Sequence, residues 1–165
     1  MDIRAVRPDE YEALGQLTVD AYRPHGVVSE EYGIELADVA GRDAAAVVLV
    51  AVDEPTPGAG GQLLGGITYV PPGPNPMSEH TEHDVASIRM LAVADHARRR
   101  GVGLALTAAA LTRARADGVV AVVLHSVPSM TGAHRLYEGL GFVRDDGLDF
   151  WPEPEVFCLG YRLEL

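Results

Sequence analysis

Residues 85 to 124 constrain the fold more than any other stretch of the chain. An apolar run, VASIRMLAV (85 to 93), leads through a polar turn into RRRGVG (98 to 103). GLALTAAALTRARAD (103 to 117) follows, then Gly118 and the nearly all-apolar VVAVVL (119 to 124). β-branched residues favour strands in the outer runs, and alanine and leucine favour a helix between them. Gly118 suits the left-handed turn that stops a helix. A strand with no polar face is covered on both sides. The unit is therefore expected to be a parallel strand pair joined by a right-handed helical crossover.

The flanking pattern agrees with an α/β chain. DIRAV (2 to 6) reads as a strand, and Pro8 opens a helix, PDEYEALGQLTVDAYR, with proline and acids in its first turn. Ser29 is placed to cap a second helix running to Asp38. Residues 46 to 52 and 62 to 70 read as strands across a turn, DEPTPGAGG. A long proline-rich loop, 71 to 84, precedes the central unit, and loops of that length are uncommon unless functional or mobile. SMTGAHRLYEGLG gives an amphipathic helix with Ala133, Leu136, Tyr137 and Leu140 on one side, and EVFCLGYRLEL closes the chain as a strand. With 165 residues and no internal boundary, one domain over 1–165 around a mixed sheet is expected.

Charge narrows the function. The chain carries 24 acids against 13 basic residues, a formal charge of −11, which argues against nucleic-acid and anionic-membrane binding. Every basic residue is arginine, so Walker-type phosphate binding and lysine Schiff-base chemistry are excluded. No apolar run reaches membrane-spanning length, the start lacks a signal-peptide core, and the single Cys158 forms no internal disulfide. A cytoplasmic enzyme or binding module is the expectation.

At the RRRGVG stretch, a strand ending at Val93 gives way to a helix near Gly101. Unpaired N–H groups at that helix start, two glycines and the adjacent Arg98, Arg99 and Arg100 make an anion site. The same residues also suit a solvated turn that balances surplus acid. A dinucleotide fingerprint needs a glycine where Leu106 stands and an acid where His125 stands, so a nicotinamide or flavin is not expected. A Gly-x-Ser-x-Gly elbow is absent, which removes the usual serine hydrolase. His80, Glu82 and His83 lack a rigid third or fourth ligand for zinc, so no metal is expected.

LAVADHARRRGVGLAL resembles the acetyl-CoA-binding segment of the GCN5-related N-acetyltransferases, with Arg98-x-x-Gly101-x-Gly103 in the place of the family pattern. MTGAHRLYEGLGFVRD resembles that family's second block, with Ala133, Tyr137, Gly141 and Phe142 in register. The resemblance implies a twisted mixed sheet of six to seven strands with a V-shaped cofactor gap and about four helices. It implies acetyl-CoA as co-substrate and an amine acceptor, either a small molecule or a peptide. Relatives are often dimers, so a homodimer is among the assemblies implied.

In the family, the pyrophosphate rests on loop amides, which implies Arg99, Arg100, Gly101, Val102 and Gly103, with Leu104 starting the helix. The pantetheine arm pairs with the first central strand, implying Leu91, Ala92 and Val93; free strand groups suit such strand addition. Tyr137 matches the tyrosine that protonates the leaving sulfur. Its alternative role is packing on the core face of its helix. Met130 stands where relatives place asparagine, and Asp95 replaces a common proline. Ser87 replaces a glutamate base, which leaves Glu82, Asp84 and His83 as candidates, acting through water. Ser87 also keeps open a catalytically silent coenzyme A sensor, and a longer acyl donor is a third reading. His125 and His134 read as surface or satisfied structural groups. Trp151 reads as an acceptor-pocket wall or a sheet cover, and Cys158 lies outside both motifs.

Overall fold

The computed structural model describes residues 1–26, 28–53 and 61–165. Its strands are β1 (Asp2–Ala5), β2 (Val47–Val52), β3 (Leu63–Val70), β4 (Val85–Val93), β5 (Ala121–Ser126), β6 (Val143–Arg144), β7 (Phe150–Glu153) and β8 (Val156–Glu164). Its helices are α1 (Tyr11–Tyr22), α2 (Glu30–Ala37), α3 (Val39–Ala45), α4 (Val102–Ala116) and α5 (Thr131–Gly139). One sheet runs in the order β1-β2-β3-β4-β5-β8-β6, with β7 paired to β8 as a hairpin. The described residues thus hold two short strands and one short helix more than the sequence reading places.

The central unit forms as its pattern requires. β4 and β5 are parallel, α4 connects them, and Gly118 ends the helix at φ 71°. α4 buries Leu106, Ala110, Leu111 and Ala114 in one cluster with Ile67, Tyr69, Ala86, Ile88, Val122 and Leu124 from the sheet. Val48, Val50 and Val52 alternate to the opposite face, where Leu14 of α1 and Val39 of α3 cover them. Burying each such side chain contributes about 1.5–3 kcal/mol, so covering both faces of the sheet dominates stability. α1 sits close because β3 carries Gly66 beneath it: a Cβ there would lie 2.6 Å from Leu14 Cδ1.

Three short elements depart from the sequence reading. Ser29 does cap α2, accepting from Tyr32 N at 3.1 Å, but Asp38 ends α2 and immediately caps α3, accepting from Gly41 N at 2.8 Å. The seven residues of α3 are too few to show a helical period. β6 and β7, at two and four residues, are equally short. The turn DEPTPGAGG lies mostly outside the described residues.

One feature of the register positions the site. The β4–β5 ladder ends at Ile88↔Leu124, whereas β4 continues beside β3 to Val93 and β5 continues beside β8 to Ser126. The two central strands therefore part. Among the described residues, 89–93 of β4 keep an edge with no strand paired on the β5 side.

Candidate active site

Where the strands part, β4 is bulged. Gly66 pairs with Ala92 and Thr68 with Arg89, so Met90 and Leu91 together face the single residue Ile67. Met90 takes φ 53°, a left-handed conformation that is strained for a side chain of this kind. A bulge turns peptide groups out of the ladder, and it does so beside the edge of Leu91, Ala92 and Val93.

Beyond Val93 a single 3-10 turn (Asp95–Ala97) leads to the arginines. Arg99 at φ 61° and Gly101 at φ 78° are both left-handed, and this alternation of hand turns backbone N–H groups into a concavity suited to anions. α4 starts at Val102 rather than Leu104, with Gly101 as its cap. Its first bond runs from Ala105 N to Gly101 O at 3.0 Å, so the amides of Val102, Gly103 and Leu104 precede the ladder. Arg98 is paired with Asp95 and Arg100 with Asp53, each at 2.9 Å, which holds two of the three arginines beside the loop. A broad cleft of about 660 Å³ opens next to it, between α1 and the ends of β3 and β4, reaching Val93, Asp95 and His96.

α5 approaches from the other side. Met130 caps it without a side-chain hydrogen bond, and Ala133 is half-buried on the core. Tyr137 is buried against Phe142 and Tyr161, with ring centroids 5.8 and 6.3 Å away. Burial pushes its phenol well above the usual tyrosine value, and the Tyr22 phenol adds to the rise. The phenol therefore stays protonated at neutral pH.

In the depth of the gap lies a cavity of about 190 Å³, whose walls include Tyr22 of α1, Tyr32 of α2, Met90, His125 and Met130. Glu79 of the 71–84 loop enters it. Its Oε1 lies 3.0 Å from Arg89 Nη2, and its Oε2 lies 2.9 Å from His125 Nδ1. Burial pushes the Glu79 carboxyl up, but the His125 hydrogen bond and the Arg89 charge outweigh it and hold the group below the usual carboxylate range.

The other loop acids lie elsewhere. Glu82 is exposed and paired with Arg162 at 2.8 Å. Asp84 is exposed, with its carbonyl accepting from Val120 N, and His83 is exposed as well. None of the three lines the cavity. Ser87 is 2% exposed, and its Oγ finds no partner among the described residues. The loop is anchored by Asn75, which donates to the Ala45 carbonyl at 2.7 Å and accepts from Met77 N at 2.9 Å. That anchoring sets which loop acid faces inward, and the spacing of acids in the sequence carries no signal of it.

His125 is satisfied at both nitrogens, and His134 shares its Nε2 with Ser126 and Val127. Trp151 is 61% exposed and stacked on Phe157, while its neighbours Pro152 and Glu153 line the cavity in its place. Cys158, remote from both motifs in sequence, is on the cavity wall; burial pushes its thiol up to about 11, which leaves it little thiolate for nucleophilic attack. Among the described residues, no group of three His, Cys, Asp or Glu is arranged to hold a metal, and no helix is long and apolar enough to cross a membrane.

An open strand edge running between an amide-rich helix start and a polar cavity can take an extended, amide-bearing arm with a phosphate at one end and a reactive group at the other. That is the construction of an acyl-CoA-dependent acyltransferase. The chain belongs to the acetyltransferase (GNAT) family, whose model matches residues 11–142. A ribosomal-protein-alanine N-acetyltransferase from Brucella melitensis shares the fold at TM-score 0.70 and 20% identity, with all of both chains covered. A GNAT-family acetyltransferase from Staphylococcus aureus Mu50 superposes at TM-score 0.78 and 12% identity, covering 99% of this chain and 98% of that one. A third, from Brucella melitensis in complex with acetyl-CoA, gives TM-score 0.63 and 22% identity over 99% of this chain and 90% of that one. No curated protein matches the sequence.

Proposed function

We propose that this protein transfers an acetyl group from acetyl-CoA to a primary amine by direct attack of the amine on the thioester. The observation that carries this reading is the parting of β4 from β5 after Ile88, beside the bulge at Met90 and next to the cavity. The fold relative solved with acetyl-CoA supports the choice of donor.

The residues divide the work. The amides of Arg99 to Gly103, with Leu104 in the same helical turn, hold the pyrophosphate, and Arg98 and Arg100 add charge. Leu91, Ala92 and Val93 bond the pantetheine arm as an added strand. A backbone N–H near Leu91 donates to the oxyanion as the carbonyl carbon becomes tetrahedral. Met130 and Ala133 line the α5 side of the donor site. The amine loses one proton through water to solvent before it attacks. The N–C bond then forms and the C–S bond breaks. Tyr137 gives its proton to the departing sulfur, and the nitrogen's remaining surplus proton restores the phenol.

Thiol release from acetyl-CoA, measured across an amine panel, tests the reading. Wild-type protein is expected to turn over at least one amine. Tyr137→Phe is expected to lower kcat by roughly 10²–10⁴-fold while coenzyme A affinity, read by calorimetry, is retained. Tight coenzyme A binding without turnover of any amine would make the chain a silent sensor instead. Faster turnover with a longer acyl-CoA would change the donor.

A further inference from the structure

Glu79 belongs to a loop, yet its carboxylate is fixed at two points inside the cavity. His125 provides one of them, and its ring is constrained on both sides. Nε2 lies 2.8 Å from the Leu148 carbonyl, which only accepts, so Nε2 carries a hydrogen. Nδ1 faces the Glu79 carboxyl at 2.9 Å, and a further proton must lie between those two atoms for the contact to be attractive. The His125 side chain is 5% exposed and has both nitrogens engaged, so it has no site left for an acceptor's proton.

Arg89 provides the second point and is itself divided. Its Nη2 lies 3.0 Å from Glu79 and 3.2 Å from Glu35, so two carboxylates share one guanidinium. Glu153, bonded by Ser29 at 2.9 Å, adds a third carboxylate to the cavity wall. Negative charge thus remains after the clamp has taken its share. Each Glu79 oxygen uses one lone pair on its clamp and keeps another for a ligand.

A carboxylate held ionised in this way is a poor proton acceptor for an alkylammonium, whose pKa lies near ~10. It is a good holder of positive charge. Resting on the proposed acetyl transfer, with this cavity at the reactive end of the open β4 edge taken as the acceptor site, we infer that Glu79 is the counter-ion for a second, charged amino group on the acceptor, and that His125 and Arg89 are the residues that position it. The acceptor class is then a diamine or polyamine: one nitrogen reacts as the free amine while another stays an ammonium against Glu79.

Two probes of equal carbon length test this with the full chain: 1,5-diaminopentane and pentylamine. Wild-type protein is expected to prefer the diamine by roughly 10- to 100-fold in kcat/KM, the worth of one hydrogen-bonded charge pair. Glu79→Gln is expected to bring that ratio within about twofold of one, through KM for the diamine rather than kcat. His125→Ala should lose part of the preference, and His125→Gln, whose side-chain amide can still donate an N–H to Glu79, should regain some of it. Calorimetric titration of the diamine into protein saturated with coenzyme A reads the same contact without turnover. Absence of a wild-type preference, or equal diamine affinity in wild type and Glu79→Gln with coenzyme A binding intact, would overturn the inference. A fall in kcat at constant KM would do so too, by making Glu79 a base. If no amine is turned over but the calorimetric difference persists, acetyl transfer fails while the ammonium seat stands.

Discussion

Gly101 shows how a single residue sets the hand of the loop proposed to hold the phosphates. It sits at φ 78°, and among the described residues nothing but its own chain neighbours lies within 4 Å of where a Cβ would go, so the constraint is the backbone's hand and not space. A β-branched residue there costs about 1–3 kcal/mol, whereas asparagine tolerates the left-handed region. Gly101→Val is therefore expected to weaken coenzyme A binding by about tenfold or more, and Gly101→Asn to keep most of it, as read by calorimetry. A valine variant that binds like wild type would remove the loop from the phosphate site. Gly101 and Tyr137 are legible in the sequence because their chemistry is local: a turn that needs glycine, a helix face that needs an aromatic. Cys158 is not, since nothing near it specifies that it will meet the cavity. Glu79 is legible only as one of several acids in the first two helices and the 71–84 loop, with Glu30, Glu31, Glu35 and Glu82, that hint at a cationic acceptor. Nothing in the sequence singles it out as the one that meets His125.

The cavity wall at the scale of elements depends on one cap. Ser29 Oγ accepts from Tyr32 N at 3.1 Å and donates to Glu153 at 2.9 Å, so the first turn of α2 is tied both to itself and to the β7–β8 hairpin. Ser29→Ala removes the cap at a cost of about 1 kcal/mol. For a chain of this size that corresponds to a fall in Tm of roughly 2–4 °C, read by thermal unfolding. An unchanged Tm would mean that Tyr32 and Glu153 hold α2 without it. Long elements with a clear pattern, α4 and β5 above all, are visible in the sequence. α3 is hidden because Asp38 serves two helices at once, and a reader of the chain sees only the end of the first.

For the whole molecule, the proposed donor site joins parts that are distant in sequence: the β4 edge, the start of α4 and the face of α5. A ligand that binds all three in the folded state alone stabilises the fold. At a coenzyme A concentration of about 100 times Kd, the gain is about 2.7 kcal/mol, which raises Tm by roughly 5–10 °C. Thermal scans with and without coenzyme A check this, and no shift at saturation would refute the donor site. The sequence by itself determined the parallel crossover, the left-handed glycine turn and the position of Tyr137, because each follows from residue chemistry within one or two elements. Only the tertiary structure decided where β4 leaves β5, that Met90 absorbs the bulge, and that Glu79 rather than Glu82 or Asp84 enters the cavity. Those outcomes depend on how the sheet twists and where a loop is anchored on a different helix, and such long-range packing leaves no periodic mark along the chain.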